Sequence, residues 1–311
     1  MDGGTAGLAG DPGLMTPARP GGLIAFPITP SQDGIVDTDA LSHLLEPLVA
    51  AGVDAVGLLG STGSYPYFSR AQRRRAVAAA AECLAGRVKL MVGVGATATT
   101  AAVGMTQDAL AAGAAFGLLA PVSYAPLTAR EVVGLFEDVA RVGLPLCVYD
   151  NPRNTQFAVT PEVLSHLARI DGVVAVKSPA PPQDQAAGAL AALRGVVPAG
   201  FSVGFSVDWH AAAALRAGGD AWYSVLAGLY PRLCLELTTA ASAADETALS
   251  ALSKRLEPVW ALFRAHGSYR VMHTLAARRG IPGAAPPRPV LPLAGEVARE
   301  VARVAETHLE G

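Results

Sequence analysis

The sequence predicts an α/β fold, a closed (β/α)8 TIM barrel followed by a C-terminal helical subdomain, and three observations carry that expectation. From Gly22 onward, short apolar runs of strand length alternate eight times with longer, Ala-rich stretches of helical period. Most of the runs are apolar along their whole length, as parallel strands covered on both faces require. Eight consecutive βα units point to a closed barrel, because open doubly wound sheets usually stop at about five to seven strands.

The strand candidates are residues 23–28, 55–59, 88–94, 116–120, 145–149, 173–177, 201–203 and 221–225. Helix starts are marked between them: Asp37 precedes 38–51, Ser69 precedes 70–84 and Thr128 precedes 129–142. Each of these side chains can accept from the free N–H groups of a first turn, and Pro161 suits a first-turn position. After the eighth strand, helical patterns run over 246–266, 269–279 and 295–309, broken by Gly280-Ile281-Pro282 and a Pro-rich stretch at 286–292. The expected organisation is a tail at 1–20, a barrel at 21–228, and a helical region at 229–311 that completes and extends it.

With 311 residues, 51% hydrophobic and 16% charged, the chain can bury a large core. Basic and acidic residues number 24 and 26, so no electrostatic pull toward nucleic acid or an anionic membrane is expected. A small molecule is the expected partner. The first twenty residues lack the basic and apolar regions of a signal peptide, and no apolar run reaches the ~18 residues of a membrane span, so the cytoplasm is the expected compartment. Cys83, Cys147 and Cys234 are odd in number and far apart, which reads as reduced core thiols. The histidines form no H-x-x-x-H pair, and GxGxxG and GxxxxGK[ST] are absent, so neither a metal nor a nucleotide cofactor is expected. One GxSxG string, residues 200–204, overlaps a strand-like run instead of turning from strand to helix, so Ser202 is not expected to be a nucleophile.

The basic residues divide unevenly: only Lys89, Lys177 and Lys254 are lysines, and the other 21 are arginines. A chain that uses arginine for ordinary surface charge keeps lysine where an amine is needed, since a guanidinium never deprotonates. Lys89 opens a strand, on the face opposite a barrel's site, and Lys254 sits in a Ser-Lys-Arg helical surface pattern. Lys177 ends the apolar run Val173-Val174-Ala175-Val176, with no acidic residue within four positions on either side. An amine backed by a low-dielectric wall and remote from carboxylates loses its proton more readily, and a neutral amine attacks carbonyls to form a Schiff base. The plainer reading is a lysine that snorkels to solvent.

Four further features fall at the carboxyl ends of strands, the face on which barrel enzymes build their sites. Tyr149 ends the fifth strand, one βα unit before Lys177, where a phenol beside an imine could hold a carboxylate or pass a proton. Gly60-Ser61-Thr62-Gly63 follows the second strand as a tight loop whose N–H groups and hydroxyls can converge on a carboxylate. Pro121-Val122-Ser123-Tyr124 follows the fourth strand and Gly204 the seventh. Lys177, Tyr149 and Ser61 are therefore the expected catalytic residues, with Gly60, Thr62, Tyr124 and Gly204 expected to bind substrate.

Over residues 20–300 the sequence resembles the dihydrodipicolinate synthase and N-acetylneuraminate lyase family of Schiff-base aldolases. The G-[ST]-T-G-E loop of that family matches Gly60-Ser61-Thr62-Gly63 with Ser64 in the last place, its Y-N-x-P matches Tyr149-Asp150-Asn151-Pro152 with Asp150 for the asparagine, and its lysine-terminated strand matches the run to Lys177. The resemblance implies a barrel with C-terminal helices, assembled as a dimer or, more usually in the family, a homotetramer, that needs no cofactor and acts on pyruvate or another 2-oxo acid. It implies an imine on Lys177, proton relay and carboxylate contact by Tyr149, and carboxylate binding by Ser61 and Thr62. In the synthases the fourth loop carries a second tyrosine that reaches a neighbouring subunit; here that place is Ser123 and Tyr124 follows one residue later. Their S-R-T-G run is replaced by Arg153-Asn154-Thr155-Gln156. These departures weaken the lysine-biosynthetic reaction, 4-hydroxy-tetrahydrodipicolinate synthesis, which stays as the alternative to another aldolase or dehydratase of the family. Two other classes stay open in the sequence: a non-catalytic 2-oxo-acid-binding regulatory barrel, and a phosphate-binding barrel, for which Gly204-Phe205-Ser206 and Leu226-Ala227-Gly228 are thin support.

Overall fold

In the computed structural model, which describes residues 19–310, the apolar runs pair as parallel strands and the sheet closes on itself. The strands are β1 (Gly22–Ala25), the short β2 (Ser31–Gln32) and β3 (Ile35–Val36), β4 (Ala55–Leu58), β5 (Lys89–Gly93), β6 (Phe116–Leu119), β7 (Leu146–Tyr149), β8 (Val173–Pro179), β9 (Ser202–Ser206) and β10 (Ala221–Ser224). β4 to β10 neighbour one another in sequence order, and β1 lies between β10 and β4 to close an eight-stranded barrel. The helices are α1 (Thr38–Ala51), α2 (Arg70–Leu84), α3 (Thr99–Ala111), α4 (Ala129–Ala140), α5 (Pro152–Thr155), α6 (Pro161–Leu167), α7 (Ala186–Arg194), α8 (Ala211–Arg216), α9 (Pro231–Ser242), α10 (Glu246–His266), α11 (Ser268–Arg278) and α12 (Gly295–His308). The architecture is the expected TIM barrel with C-terminal helices.

Alternation along the strands divides the core in two. Ile24, Ala55, Met91, Phe116, Leu118, Cys147, Ala175, Ala221 and Tyr223 fill the barrel, while Leu23, Val56, Leu58, Leu90, Leu146, Val176 and Trp222 pack outward against the helices. The expected caps form: Asp37 accepts from the Ala40 N–H at 2.9 Å, Ser69 from Gln72, and Thr128 and Glu131 make a reciprocal capping box. Thr160 caps α6, with Pro161 in its first turn.

Four details differ from the sequence reading. Lys177 does not end its strand, because Ser178 and Pro179 continue in register with Phe205 and Ser206 of β9; the polar serine and the proline disguise the continuation. β2 and β3 form a hairpin around Asp33-Gly34, both with positive φ, a pair too short to show periodicity. The helix at 231–242 follows the last barrel strand at once and begins on a proline. Cys147 and Cys234 are buried, but Cys83 is half-buried on α2. Residues 1–18 of the expected tail lie outside the described residues. Arg19 donates to the Gly200 carbonyl at 2.8 Å, and Ser202 donates to the Pro20 carbonyl at 2.6 Å, which ties up the hydroxyl of the GxSxG string inside β9. Among the described residues no helix is long and apolar enough to cross a membrane.

One buried carboxylate organises the end of the barrel's last strand. Asp208 accepts from Trp222 Nε1 and Ser224 Oγ, both at 3.1 Å, and from the N–H groups of Val225 and Leu226. Burial raises its pKa and these donors oppose the rise. The C-terminal helices are tied to the barrel mouth through α11. Tyr269 and Ser64 share a hydrogen bond of 2.8 Å, the Tyr269 ring packs on His273 with centroids 4.6 Å apart, and His273 Nδ1–H donates to the Ala284 carbonyl at 2.6 Å.

Asp208→Ala strands four donors in the core and should cost about 3 kcal/mol of stability or more, read from urea unfolding. Burial lowers the His273 pKa from its ordinary 6.5, the Ala284 and Thr62 backbone pulling the other way. The unfolded chain therefore binds that proton first, and stability is lost as pH falls from 6.5 toward the folded value. The drop in Tm between pH 7.5 and 5.5 should shrink in His273→Gln; an unchanged drop would assign it to other groups.

Candidate active site

Strand register brings the expected catalytic residues together. Tyr149 on β7 is the cross-strand partner of Lys177 on β8, which in turn faces Gly204 on β9. Lys177 is 3% exposed. None of the ion pairs among the described residues involves it. Its Nζ instead stands over ring faces, 4.0 Å from the Tyr149 centroid, 4.2 Å from Phe26 and 5.8 Å from Tyr223. The other lysines behave as surface charge: Lys89 is exposed at the start of β5 and Lys254 is exposed on α10.

The loop after β4 completes a polar cluster. Ser61 Oγ lies 3.1 Å from Tyr149 Oη, and Asn151 Nδ2 donates to both, at 3.1 Å to Tyr149 and 3.3 Å to Ser61. An amide that donates to the phenol oxygen leaves the phenol proton free to be given away and steadies negative charge that develops on the oxygen. Thr62 is buried beside Ser61. The loop is bracketed by two non-glycine residues in left-handed backbone, Leu59 with φ 55° and Ser64 with φ 60°. Such conformations cost on the order of 1 kcal/mol or more each and persist where packing over-determines them, as the bond from Tyr269 to Ser64 does here.

The remaining expected residues are placed individually. Gly204 pairs with Lys177 across β8 and β9 and leaves room for the Tyr223 ring, from which a Cβ there would lie 2.5 Å. Tyr124 is 97% exposed and stands apart from Lys177 in this chain. Gly60 is buried against Phe26. Asp150 turns away to accept from the Val159 N–H at 3.1 Å, and burial raises its pKa. Arg153 is exposed. Two contributors escaped the sequence reading. Asn151, two residues beyond Tyr149, carried a signal in its spacing, whereas Phe26 looked like one more apolar residue of the first strand.

The arrangement suits amine chemistry. A buried amine unpaired with any carboxylate stands over the ring of a tyrosine whose hydroxyl pairs with Ser61 and can donate or accept. Thiol chemistry has no comparable centre: burial pushes the Cys147 thiol up to about 12, and the Cys234 and Cys83 thiols also rise. Among the described residues no group of three or more His, Cys, Asp and Glu side chains is placed to hold a metal ion.

Known proteins share this frame. The chain is 30% identical over 238 residues to 4-hydroxy-tetrahydrodipicolinate synthase of Methylococcus capsulatus, covering 76% of this chain and 80% of the relative. It is 33% identical over 243 residues to the enzyme of the same name from Stenotrophomonas maltophilia, covering 76% and 79%. Among solved structures, dihydrodipicolinate synthase from Agrobacterium tumefaciens superposes with a TM-score of 0.90 at 46% identity, covering 92% of this chain and 97% of that one. The profile of the dihydrodipicolinate synthetase family matches residues 19–308, nearly the whole described chain. With sequence, barrel and full-length match in agreement, the chain belongs to the dihydrodipicolinate synthetase family.

Proposed function

We propose that this chain, a lyase of its family, activates pyruvate or a closely related 2-oxo acid as an imine on Lys177 and makes or breaks a bond at the neighbouring carbon. The observation that carries the reading is the Lys177 amine, buried, unpaired with carboxylate and in register with Tyr149. In the first step the Nζ–C2 bond forms and the C2–O bond breaks, so that ammonium and ketone give protonated imine and one water. Tyr149 passes a proton to the departing oxygen, its own oxygen held by Asn151 and its proton exchanged through Ser61. The carboxylate of the acid is taken by the Ser61-Thr62 turn. The protonated imine then loses a C3 proton to give an enamine, which attacks an electrophile; cleavage or dehydration runs the corresponding steps in other orders. The imine is the electron sink, so the scheme calls for no metal or organic cofactor.

The second substrate is proposed to differ from that of the relatives named above. The support is the altered run Arg153-Asn154-Thr155-Gln156, in which Arg153 is exposed; Tyr124, 97% exposed in the single chain, is free to reach a neighbouring subunit. We further infer work in the cytoplasm as a homo-oligomer, dimer or tetramer, on the strength of family membership.

Borohydride added with pyruvate should attach one mass adduct, at Lys177, and Lys177→Arg should abolish it; no adduct over a panel of 2-oxo acids would sink the mechanism, and binding seen by thermal shift alone would favour a non-catalytic barrel. Tyr149→Phe should slow turnover by about 10² or more, and Asn151→Ala by about tenfold, both with trapping retained. An unchanged rate in Tyr149→Phe would return the phenol to a packing role.

A further inference from the structure

Phe26 is a residue of the first strand run with no polar group, yet it touches the atom on which the proposed chemistry turns. Its ring is 1% exposed and stands 4.2 Å from Lys177 Nζ. The space for that ring has been made by two glycines. A Cβ at Gly57, inside β4, would overlap the ring, and one at Gly60 would lie 2.6 Å from its Cδ1. Every other residue of β4 carries a side chain, so the glycine at 57 is a gap fitted to the aromatic group. Behind it the Tyr223 ring stands 6.1 Å away, itself seated in the space left by Gly204, and Tyr223 Oη meets Cys147 Sγ at 3.4 Å. Phe26 therefore has a rigid backing and cannot retreat without displacing the barrel interior.

The consequence is steric. Tyr149 closes on Nζ at 4.0 Å and its hydroxyl is held by Asn151 and Ser61, so both aromatic walls beside the nitrogen are fixed. An imine is planar: Nζ, C2, the carboxyl carbon and C3 share one plane. Both rings stand within van der Waals reach of the nitrogen and crowd the space around that plane. A methyl or a straight chain at C3 can lie close to the plane. A branch at C3 must leave it, toward space the rings occupy.

We propose that Phe26 is the residue that sets substrate size, restricting the chain to 2-oxo acids unbranched at C3. This rests on the imine reading above. The gain from opening such a wall follows from the usual discrimination of an apolar pocket, in which one misplaced methylene is worth about 10-fold to 200-fold.

The test compares borohydride trapping of pyruvate with that of 2-oxoisovalerate, which is branched at C3, as a ratio of rates at Lys177 in the full chain. The wild-type chain should trap pyruvate far faster. Phe26→Ala and the milder truncation Phe26→Leu should both raise the branched-to-straight ratio, by about tenfold or more in Phe26→Ala. A ratio unchanged in both variants, with pyruvate still trapped, would overturn the assignment, as would loss of both acids in both variants, which would make the ring a support for the barrel. Equal trapping of the two acids by the wild-type chain would also overturn it. Failure of the wild-type chain to form any adduct would be a failure of the imine reading itself, seen before any variant is made.

Discussion

A positive side chain buried in a barrel without a negative partner is the constraint around which the rest of this structure is arranged. Removing an ammonium from water costs several kcal/mol, and the attraction of a ring face returns only about 0.5–2 kcal/mol. Lys177 has such faces in Phe26 and Tyr149 and no carboxylate. In the proposed chemistry the positive charge leaves that nitrogen when the protonated imine becomes an enamine. Arg73 is the instructive contrast. Its buried guanidinium donates to the Gly93 and Gly95 carbonyls, burial brings its pKa down to about 10, and it remains a cation and a brace.

Holding an unpaired amine in place demands rigidity from its surroundings. Parallel register sets Tyr149 against Lys177 and Lys177 against Gly204, so the spacing of the reactive groups is a property of the sheet and not of a loop. The one loop that takes part, at 60–63, is strained at both ends and is fastened from outside the barrel by Tyr269 on α11. The C-terminal helices thus act on the site from behind. The substitution of serine for the family's usual glutamate at position 64 is absorbed by that contact, which a carboxylate side chain of greater length would have to meet differently.

Much of this was legible in the sequence, for identifiable reasons. Apolar runs such as 173–176 suit strands covered on both faces, and eight strand-length runs in alternation with capped helices leave few closed topologies. Lys177, Tyr149 and Ser61 were readable because strand ends converge in a barrel and because one of only three lysines in an arginine-rich chain ends an apolar strand run. The extension of β8 through Ser178 and Pro179 was hidden by residues that usually end strands. Phe26 looked like filler in the sequence, and only packing shows the glycines at 57, 60 and 204 yielding space to rings. For Tyr124, 97% exposed in the single chain, the sequence shows the residue type at a strand end but not the direction in which its loop points.

The thrift with lysine also shapes what the protein offers to the outside. With Lys177 buried in the barrel, the lysine amines on the surface are two, Lys89 at the entrance of β5 on the end opposite the site and Lys254 on the outer helix α10. Lysine-directed coupling to a bead or a sensor chip through these two points would attach the molecule away from the mouth of the barrel.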